Sequence, residues 1–337
     1  MKTGKIPERV LKRSVFKQLP IRDDEMIGGA GVGEDCAVFA PENGSRTAVC
    51  VNTVMGNAAQ IGVYAVHAAV NNIAAGGAEP TAVLIAAAFP EDTEEPQLRV
   101  IMKQIGETAR TLGVTVAGGH TEISSAVSEP VLSVTGVGRY SAEQAHMAEN
   151  AEGMAMYDKD IVMTKWAGIA GTALIAREKR TELLTRYPAY FIDEAQAMEQ
   201  WLSVVPEAAT AGKSGVLLMH DASRGGIFAA LWELAERAGV GLSVSLKAIP
   251  IRQESVEICN FLDVNPYELA AGGSLLVVAE NGYDLVRRFA EEGIPAAVIG
   301  RTDSTNDRVI INEEERRFLE PPKGDDVYRR FTAAEGR

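Results

Sequence analysis

The chain has 337 residues, of which 46% are hydrophobic and 23% are charged, and its formal net charge is -13. This length suits two domains of about 150 residues each, and the composition is that of a globular protein with a sizeable core. The acidic balance and the lack of a Lys/Arg block argue against binding to duplex nucleic acid or to an anionic membrane surface. A small or metal-masked ligand is a better match.

The cysteines and the hydrophobic runs bear on the compartment. Cys36, Cys50 and Cys259 show no CxxC spacing and no even-numbered framework, which indicates a reducing environment. No run of about 18 apolar residues occurs, and the basic N-terminal stretch lacks an apolar signal core. We therefore expect a cytoplasmic protein.

The first 140 residues alternate between strand-like and helix-like patterns. Runs rich in β-branched residues predict strands over 36–40, 47–54, 81–90, 114–119 and 131–140. Apolar residues spaced by three and four predict two helices that end at glycines, over 61–77 and, with Thr93 as a candidate N-cap, over 93–113. The first half is therefore predicted to be mixed α/β.

Near residue 150 the sequence becomes polar and loses its β-branched residues, as a domain junction would. We predict an α/β (α+β) protein with one domain over 1–150 and a second over 151–337. The second half begins with a strand near 160–166 and a helix that opens at "GIAGTALIA". A long helical region from about 188 to 205 and further alternating strands and helices are predicted to follow.

A glycine-rich turn, "GVGEDCAV", is the first candidate for chemistry. Gly31 and Gly33, preceded by glycines at 28–29, would let the backbone approach a ligand closely, and Glu34 and Asp35 follow at once. Carboxylates can face a phosphate only through a bridging divalent cation such as Mg²⁺. A tight solvated turn without a ligand is the alternative. The standard P-loop and dinucleotide-binding patterns do not occur.

Two further stretches place a histidine near a glycine pair. In "AGGHTEISS", a turn at Gly118 and Gly119 could wrap a phosphate or a ribose, and His120 could donate to phosphate, bind metal or act as acid or base. In "MHDASRGG", Asp221 and Arg224 precede a predicted helix, which is a natural anion site. A structural histidine and ordinary helix capping are the respective alternatives.

Eight stretches of the sequence, taken in chain order, connect these candidate sites to one family pattern. They are "GKIP", "GVGEDCAV", "VCVNTVMG", "AVNNIAAGGAEP", "GGHTE", "MTKWAGIAGTALIA", "MHDASRGGIFAAL" and "AAVIGR". Together they resemble the superfamily of aminoimidazole ribonucleotide synthetase, which includes thiamine-monophosphate kinase, selenophosphate synthetase and the hydrogenase-maturation carbamoyl dehydratase HypE. The resemblance spans nearly the whole chain and is closest to the HypE-like, synthetase-related proteins.

The resemblance implies a two-domain fold in which the N-terminal strands form a β-barrel with a second copy at a homodimer interface. It also implies that ATP lies between this domain and a C-terminal α/β domain. Such enzymes phosphorylate an amide or carbonyl oxygen, or a phosphate, and acidic side chains hold Mg²⁺ on the triphosphate.

Carried over by position, the resemblance also implies a set of site residues. The metal ligands would be Glu34 and Asp35. A mobile N-terminal segment carrying Lys5 would close over the nucleotide. The remaining nucleotide contacts would be Gly31, Gly33, Asn52, Asn72, Gly118, Gly119 and Thr121, and the catalytic residues would be His120, Asp221 and Arg224.

Two departures from the superfamily pattern leave alternatives open. Asn52 and Asn72 stand where aspartates are usual, and taken alone each is typical of a polar cap. An amide oxygen can still ligate Mg²⁺, but each change removes a negative charge on which metal binding and phosphoryl transfer depend. The leading hypothesis is an ATP-dependent enzyme with an unknown small acceptor. A catalytically degraded nucleotide-binding or assembly protein is the alternative, and a structural protein without a ligand is a third.

Cysteine placement bears on two specific activities. The hydrogenase-maturation enzyme works on a C-terminal cysteine, whereas this sequence has none after Cys259. Selenophosphate synthetase carries a reactive Cys or Sec beside a lysine in its glycine-rich loop, and the loop here lacks that arrangement. We therefore expect neither activity.

Overall fold

A computed structural model describes residues 6–19, 26–27, 31–40, 45–141 and 156–322. The described chain forms two sheet-containing domains of mixed α/β structure, as predicted. Lys5, the glycines at 28–29 and most of the polar stretch predicted as a domain junction, 142–155, lie outside the described residues.

The first domain contains two long helices and a six-stranded sheet within the described ranges. Its elements are α1 (Glu8–Val10), β1 (Met26–Ile27), β2 (Ala37–Phe39), β3 (Thr47–Met55), α2 (Ile61–Ala75), β4 (Glu79–Phe89), α3 (Glu95–Thr111), β5 (Thr115–Ile123) and β6 (Val131–Arg139). The strand order is β1-β2-β3-β6-β4-β5, and all neighbours are antiparallel except β4 and β5. The sheet is open, so the predicted dimer-interface barrel would need a second copy and stays a prediction.

One face of this sheet is covered and the other is not. Side chains alternate across a strand, so Val83, Ile85 and Ala87 of β4 are buried beneath the helices while Leu84 between them is exposed. The helix α2 packs on the covered face through Ala65, Val66, Ala69, Val70 and Ile73. The opposite face, here called the outer face, exposes Phe39, Val51, Met55 and Leu84.

The second domain is built on a seven-stranded sheet within the described ranges. Its elements are β7 (Asp160–Thr164), α4 (Ile169–Glu178), α5 (Arg180–Leu183), α6 (Ala189–Ala197), α7 (Val205–Gly212), β8 (Leu218–Ala222), α8 (Gly226–Ala238), β9 (Gly241–Ser245), α9 (Gln253–Leu262), β10 (Ser274–Ala279), α10 (Gly282–Glu291), β11 (Ala296–Asp303), β12 (Arg308–Asn312) and β13 (Glu315–Phe318). The order is β13-β12-β9-β11-β7-β10-β8, and only β12 and β9 run parallel among these pairs. All residues of β8 are buried although it is an edge strand, because α2 of the first domain lies beside it.

The helix predicted over 188–205 is shorter than expected. It runs from 189 to 197, tightens into a narrower helical turn over 198–201 and stops before α7 begins at Val205. Side chains from elsewhere hold the intervening backbone. Asn71 of α2 donates to the carbonyl of Leu202 (2.8 Å) and accepts from the amide of Val204 (3.0 Å), which ties the first domain to this segment.

A buried lysine holds the same segment from the other side. The ammonium of Lys165, at the end of β7, donates to the carbonyls of Trp201 (3.0 Å) and Ser203 (2.6 Å) and pairs with Glu207 (2.5 Å). The Lys165 and Glu207 side chains are only 2% and 4% exposed. Tertiary hydrogen bonds to the lysine and Asn71 therefore replace the helical bonds that local sequence predicted.

The N-terminal segment crosses to the second domain. The Trp232 indole of α8 donates to Glu8 (2.9 Å), and Lys12 bridges Glu8 (2.7 Å) and Glu236. Arg308 pairs with the same Glu236 (2.6 Å) while its guanidinium lies 3.9 Å from the centre of the Trp232 ring. These contacts tie the segment to α8 of the second domain.

Two local predictions are wrong in detail. The helix α3 begins after Glu94, not Thr93, because Glu94 and Gln97 form a reciprocal capping box. The predicted turn at Gly118 and Gly119 does not form, because β5 continues to Ile123 in parallel pairing with β4. Among the described helices, none combines the length and the apolar character needed to cross a bilayer.

Candidate functional site

The glycine-rich turn at residues 31–35, here called the acid turn, lies against α8 of the second domain. Glu34 accepts from Nε of Arg237 (3.1 Å), and the same guanidinium lies 3.8 Å from Asp35. Burial raises the pKa of Glu34, although Arg237 opposes that shift. The two predicted metal ligands therefore face a permanent cation from the other domain.

A buried histidine adds a second cation to this site. His220, in β8, donates from Nδ1 to Asp35 (2.9 Å) and from Nε2 to Glu233 (3.2 Å). Burial alone would lower the pKa of His220, but the two carboxylates raise it to about 10. The imidazolium thus bridges an acid of the first domain and an acid of α8.

The backbone of the acid turn is in direct contact with α8. Gly33 has a left-handed φ of 78°, and an added Cβ would overlap the carbonyl oxygen of Glu233. This position therefore requires glycine for two reasons, its conformation and its close approach to the helix. The glycine was predicted to let the backbone approach a ligand, but in this structure it lets the backbone of the acid turn approach the backbone of α8.

Mg²⁺ is the metal ion that the acid turn was predicted to hold. Carboxylate oxygens are suitable ligands, but Glu34 and Asp35 are both engaged with Arg237 and His220. Within the part of the chain that the structure describes, no three His, Cys, Asp or Glu side chains are grouped to hold a metal. In this arrangement the two acids do not fit a resident Mg²⁺, and their role as metal ligands stays a prediction that would require both cations to move.

The other stretch predicted at an anion site also crosses between domains. Arg224, just before α8, donates to the carbonyl of Thr53 in β3 (2.7 Å). The neighbouring Asn52 donates its amide to the carbonyl of Ala68 in α2 (3.0 Å), and Asp221 is buried in β8 next to His220. Asn72 is partly buried in the last turn of α2.

The residues predicted around His120 lie elsewhere on the first sheet. All nine residues of β5 are exposed, and His120 contacts Glu122 at 3.3 Å. An added Cβ at Gly119 would overlap the carbonyl oxygen of Ile85, so this glycine serves the β4–β5 pairing, whereas Gly118 has open space around it. Two strands separate β5 from β3, a distance of about 14 Å at the usual strand spacing. The single chain therefore does not bring Gly118–Thr121 onto the acid turn.

Three residues that join the domains were missed by sequence reasoning. They are His220, which stands beside the predicted Asp221, and Glu233 and Arg237, which are four apart on α8. Part of this signal was present in the sequence. Glu233 and Arg237 are four residues apart and therefore share one face of α8, and this helix comes directly after the strand that contains His220. Its partner turn lies about 200 positions earlier in the sequence, which local patterns do not connect.

Comparison with known proteins identifies related chains. Residues 33–140 match the model for the N-terminal domain of the AIR synthase related proteins, and residues 159–312 match that of their C-terminal domain. A hydrogenase expression/formation protein from Methanocaldococcus jannaschii is 26% identical, over 97% of this chain and 96% of its own. Carbamoyl dehydratase HypE from Rhodobacter capsulatus is 29% identical, over 86% of this chain and 82% of its own.

Solved structures share the fold. A HypE–HypF complex contains a chain that superposes with a TM-score of 0.71 at 19% identity, covering 93% of this chain and 99% of that one. The hydrogenase maturation protein HypE in complex with ATP superposes with a TM-score of 0.67 at 18% identity, covering 95% of each chain. At these identities the likeness concerns the arrangement of the backbone alone.

Proposed function

Because the chain belongs to the AIR synthase related family, we propose that it is an ATP-dependent enzyme that phosphorylates an oxygen of a small acceptor. The observation that carries this proposal is the junction of the acid turn with β8 and α8, where Asp35 meets His220 at 2.9 Å across the two domains. A structural neighbour was solved with ATP, and a relative bears the name carbamoyl dehydratase. Both facts support an ATP-using activity.

In the proposed reaction, an amide, carbonyl or phosphate oxygen of the acceptor attacks the γ-phosphorus of ATP. A new O–P bond forms, the bond to the bridging oxygen breaks, and ADP leaves with that electron pair. Asp221 and Arg224 would shape the acceptor side, and His120 would lie beside the phosphates with its neighbours in β5. Magnesium would arrive bound to the triphosphate, which Lys5, Gly31 and the glycines of β5 would contact, and Gly33 would join them only after leaving α8.

We propose that a second copy of this chain covers the outer face. Val51 and Met55 are 65% and 50% exposed there, and such an apolar sheet face is typical of an interface. Residues 118–121 belong to β5, at the open edge of the described sheet and about 14 Å from β3, which pairs with the strand that follows the acid turn. A second copy would bring these residues toward a shared site. Sedimentation should give a dimer that Val51→Glu disperses, whereas Val100→Glu, on an exposed part of α3, should not change it.

The domain limits and the compartment are also proposals. A boundary near residue 150 is supported by the gap between the matched ranges 33–140 and 159–312. The cytoplasm is supported by Cys36, Cys50 and Cys259, all of which are free thiols.

Calorimetric titration of the full chain with a non-hydrolysable ATP analogue tests the proposed function. We expect stoichiometric binding that Arg224→Met weakens at least tenfold, because this change removes a cation from the domain junction. Arg99→Met is the matched control, since Arg99 pairs with Glu95 on the exposed surface of α3. Absence of nucleotide binding to the unaltered chain would remove the proposal.

One observation favours a second candidate, a nucleotide-binding or assembly protein without turnover. Asn52 uses its amide as a donor to the Ala68 carbonyl, which an ionised aspartate is unable to do. The superfamily's usual aspartate would leave two acceptors facing each other here. If Asn52→Asp combined with Asn72→Asp creates ATP turnover that the natural chain lacks, the second candidate is correct.

A further inference from the structure

The acid turn is covered by α8 at Gly33. Gly33 packs its backbone onto the Glu233 carbonyl of α8, so no ligand fits between turn and helix at that point. The Asp35 side chain is 6% exposed and that of Arg237 is 16% exposed. The contact between them therefore belongs to the packed junction of the two domains and is not a solvated surface pair.

The charges at this junction complement one another. Arg237 reaches Glu34 at 3.1 Å and Asp35 at 3.8 Å, and His220 reaches Asp35 at 2.9 Å. Glu34 and Asp35 belong to the first domain, whereas Arg237, His220 and Glu233, which lies 3.2 Å from His220, belong to the second. A divalent cation on Glu34 and Asp35 would lie beside the guanidinium of Arg237, so the binding of metal and the closure of this junction oppose each other.

We propose that Arg237 is a built-in counter-ion that occupies Glu34 and Asp35 in place of a divalent metal and, together with the contact between His220 and Asp35, holds the two domains together. The inference deepens the proposed function, on which it rests for the identity of the competing ion, since Mg²⁺ would arrive with ATP. Metal reaches the two carboxylates only when the acid turn separates from α8.

Manganese titrated into the nucleotide-free full chain tests this inference, with the free ion measured by electron paramagnetic resonance. The unaltered chain should show no site that depends on Asp35. Arg237→Gln should bind Mn²⁺ at least tenfold more tightly, and adding Asp35→Asn to this variant should abolish the gain. Arg237→Lys is the matched control because it keeps the positive charge, and it should behave like the unaltered chain.

Two results would overturn the inference: Asp35-dependent Mn²⁺ binding by the unaltered chain, or no gain in Arg237→Gln. If Arg237→Gln fails to fold, Arg237→Met keeps the aliphatic stem without the charge and should give a gain of the same kind. The nucleotide titration is read separately. If the unaltered chain binds no nucleotide, the proposed function is rejected and the Mn²⁺ comparison stays valid. If the chain binds nucleotide but Arg237→Gln leaves the Mn²⁺ affinity unchanged, only the counter-ion inference is rejected.

Discussion

Replacing Lys165 by methionine should be among the more damaging single changes in this protein. The lysine ammonium has three partners, Glu207 at 2.5 Å and the carbonyls of Ser203 and Trp201 at 2.6 and 3.0 Å. Burial lowers the pKa of Lys165, an effect that Glu207 opposes. Methionine keeps much of the side-chain volume but leaves Glu207 as a buried carboxylate without its cation.

The magnitude follows from what remains unpaired. Removing one partner of a buried ion pair costs about 3–5 kcal/mol, because the other charge stays desolvated. The carbonyls of Trp201 and Ser203 also lose a donor, at about 1–3 kcal/mol for each that stays buried. A loss of at least about 3 kcal/mol should lower the melting temperature of the full chain by about 4 °C or more. The double variant Lys165→Met/Glu207→Met, which buries no charge, should recover at least about 2 kcal/mol of this loss.

Urea denaturation of the full chain, followed by circular dichroism, measures these free energies. The control is Lys247→Met, because Lys247 and Glu313 form a pair of similar length, 2.6 Å, whose side chains are 66% and 70% exposed. That change should cost less than about 1 kcal/mol. A Lys165→Met chain as stable as the Lys247→Met chain, or a double variant less stable than the single one, would refute the reasoning.

Three further predictions concern the domain junction and its surroundings. Gly33→Ala should lower the melting temperature by several degrees more than Gly113→Ala. Both glycines have a left-handed φ, but only at Gly33 would the added Cβ overlap backbone, that of Glu233 in α8. Equal losses in a thermal melt would contradict this contact. Asn71→Ala should cost about 1–3 kcal/mol in urea, since it removes two buried hydrogen bonds between the domains, and an unchanged midpoint would count against that link. Burial lowers the pKa of His67 to about 4, so its contribution to the unfolding free energy is present above pH 6.5 and is lost as the pH falls toward 4. The pKa of His220 is raised to about 10, so its contribution is present below pH 6.5 and is lost as the pH rises toward 10. Unfolding free energies measured across pH should therefore flatten on the acid side in His67→Gln and on the alkaline side in His220→Gln, and the opposite assignment would refute these shifts.

Local patterns predicted the first sheet well because each strand alternates between a covered face and an uncovered one. The predicted strands over 47–54 and 131–140 differ from Thr47–Met55 and Val131–Arg139 by one residue at most. The prediction of one helix over 188–205 was wrong for a tertiary reason. Asn71 and Lys165 donate hydrogen bonds to the backbone carbonyls that would have accepted the next helical bonds. Propensity reports what a segment prefers alone, and these partners come from distant parts of the chain.

The candidate site shows a similar division. The acids of the acid turn and the stretch around Asp221 were found from residue type and order, and the structure brings these two stretches together. What the acids face was not predictable, because Arg237 is separated from Asp35 by about 200 residues and the sequence holds no local sign of their contact. A carboxylate pair looks alike in sequence whether a metal or an arginine neutralises it.

The contact between Glu8 and Trp232 has a consequence for the order in which the molecule is completed during synthesis. The two residues are 224 positions apart, and closing a flexible loop of that length costs about 5 kcal/mol in entropy. At about 5–20 residues per second, Trp232 is made about 10–45 s after Glu8. The helical segment that carries Glu8 is therefore made well before its partner on α8 and is among the last parts of the molecule to reach its final position.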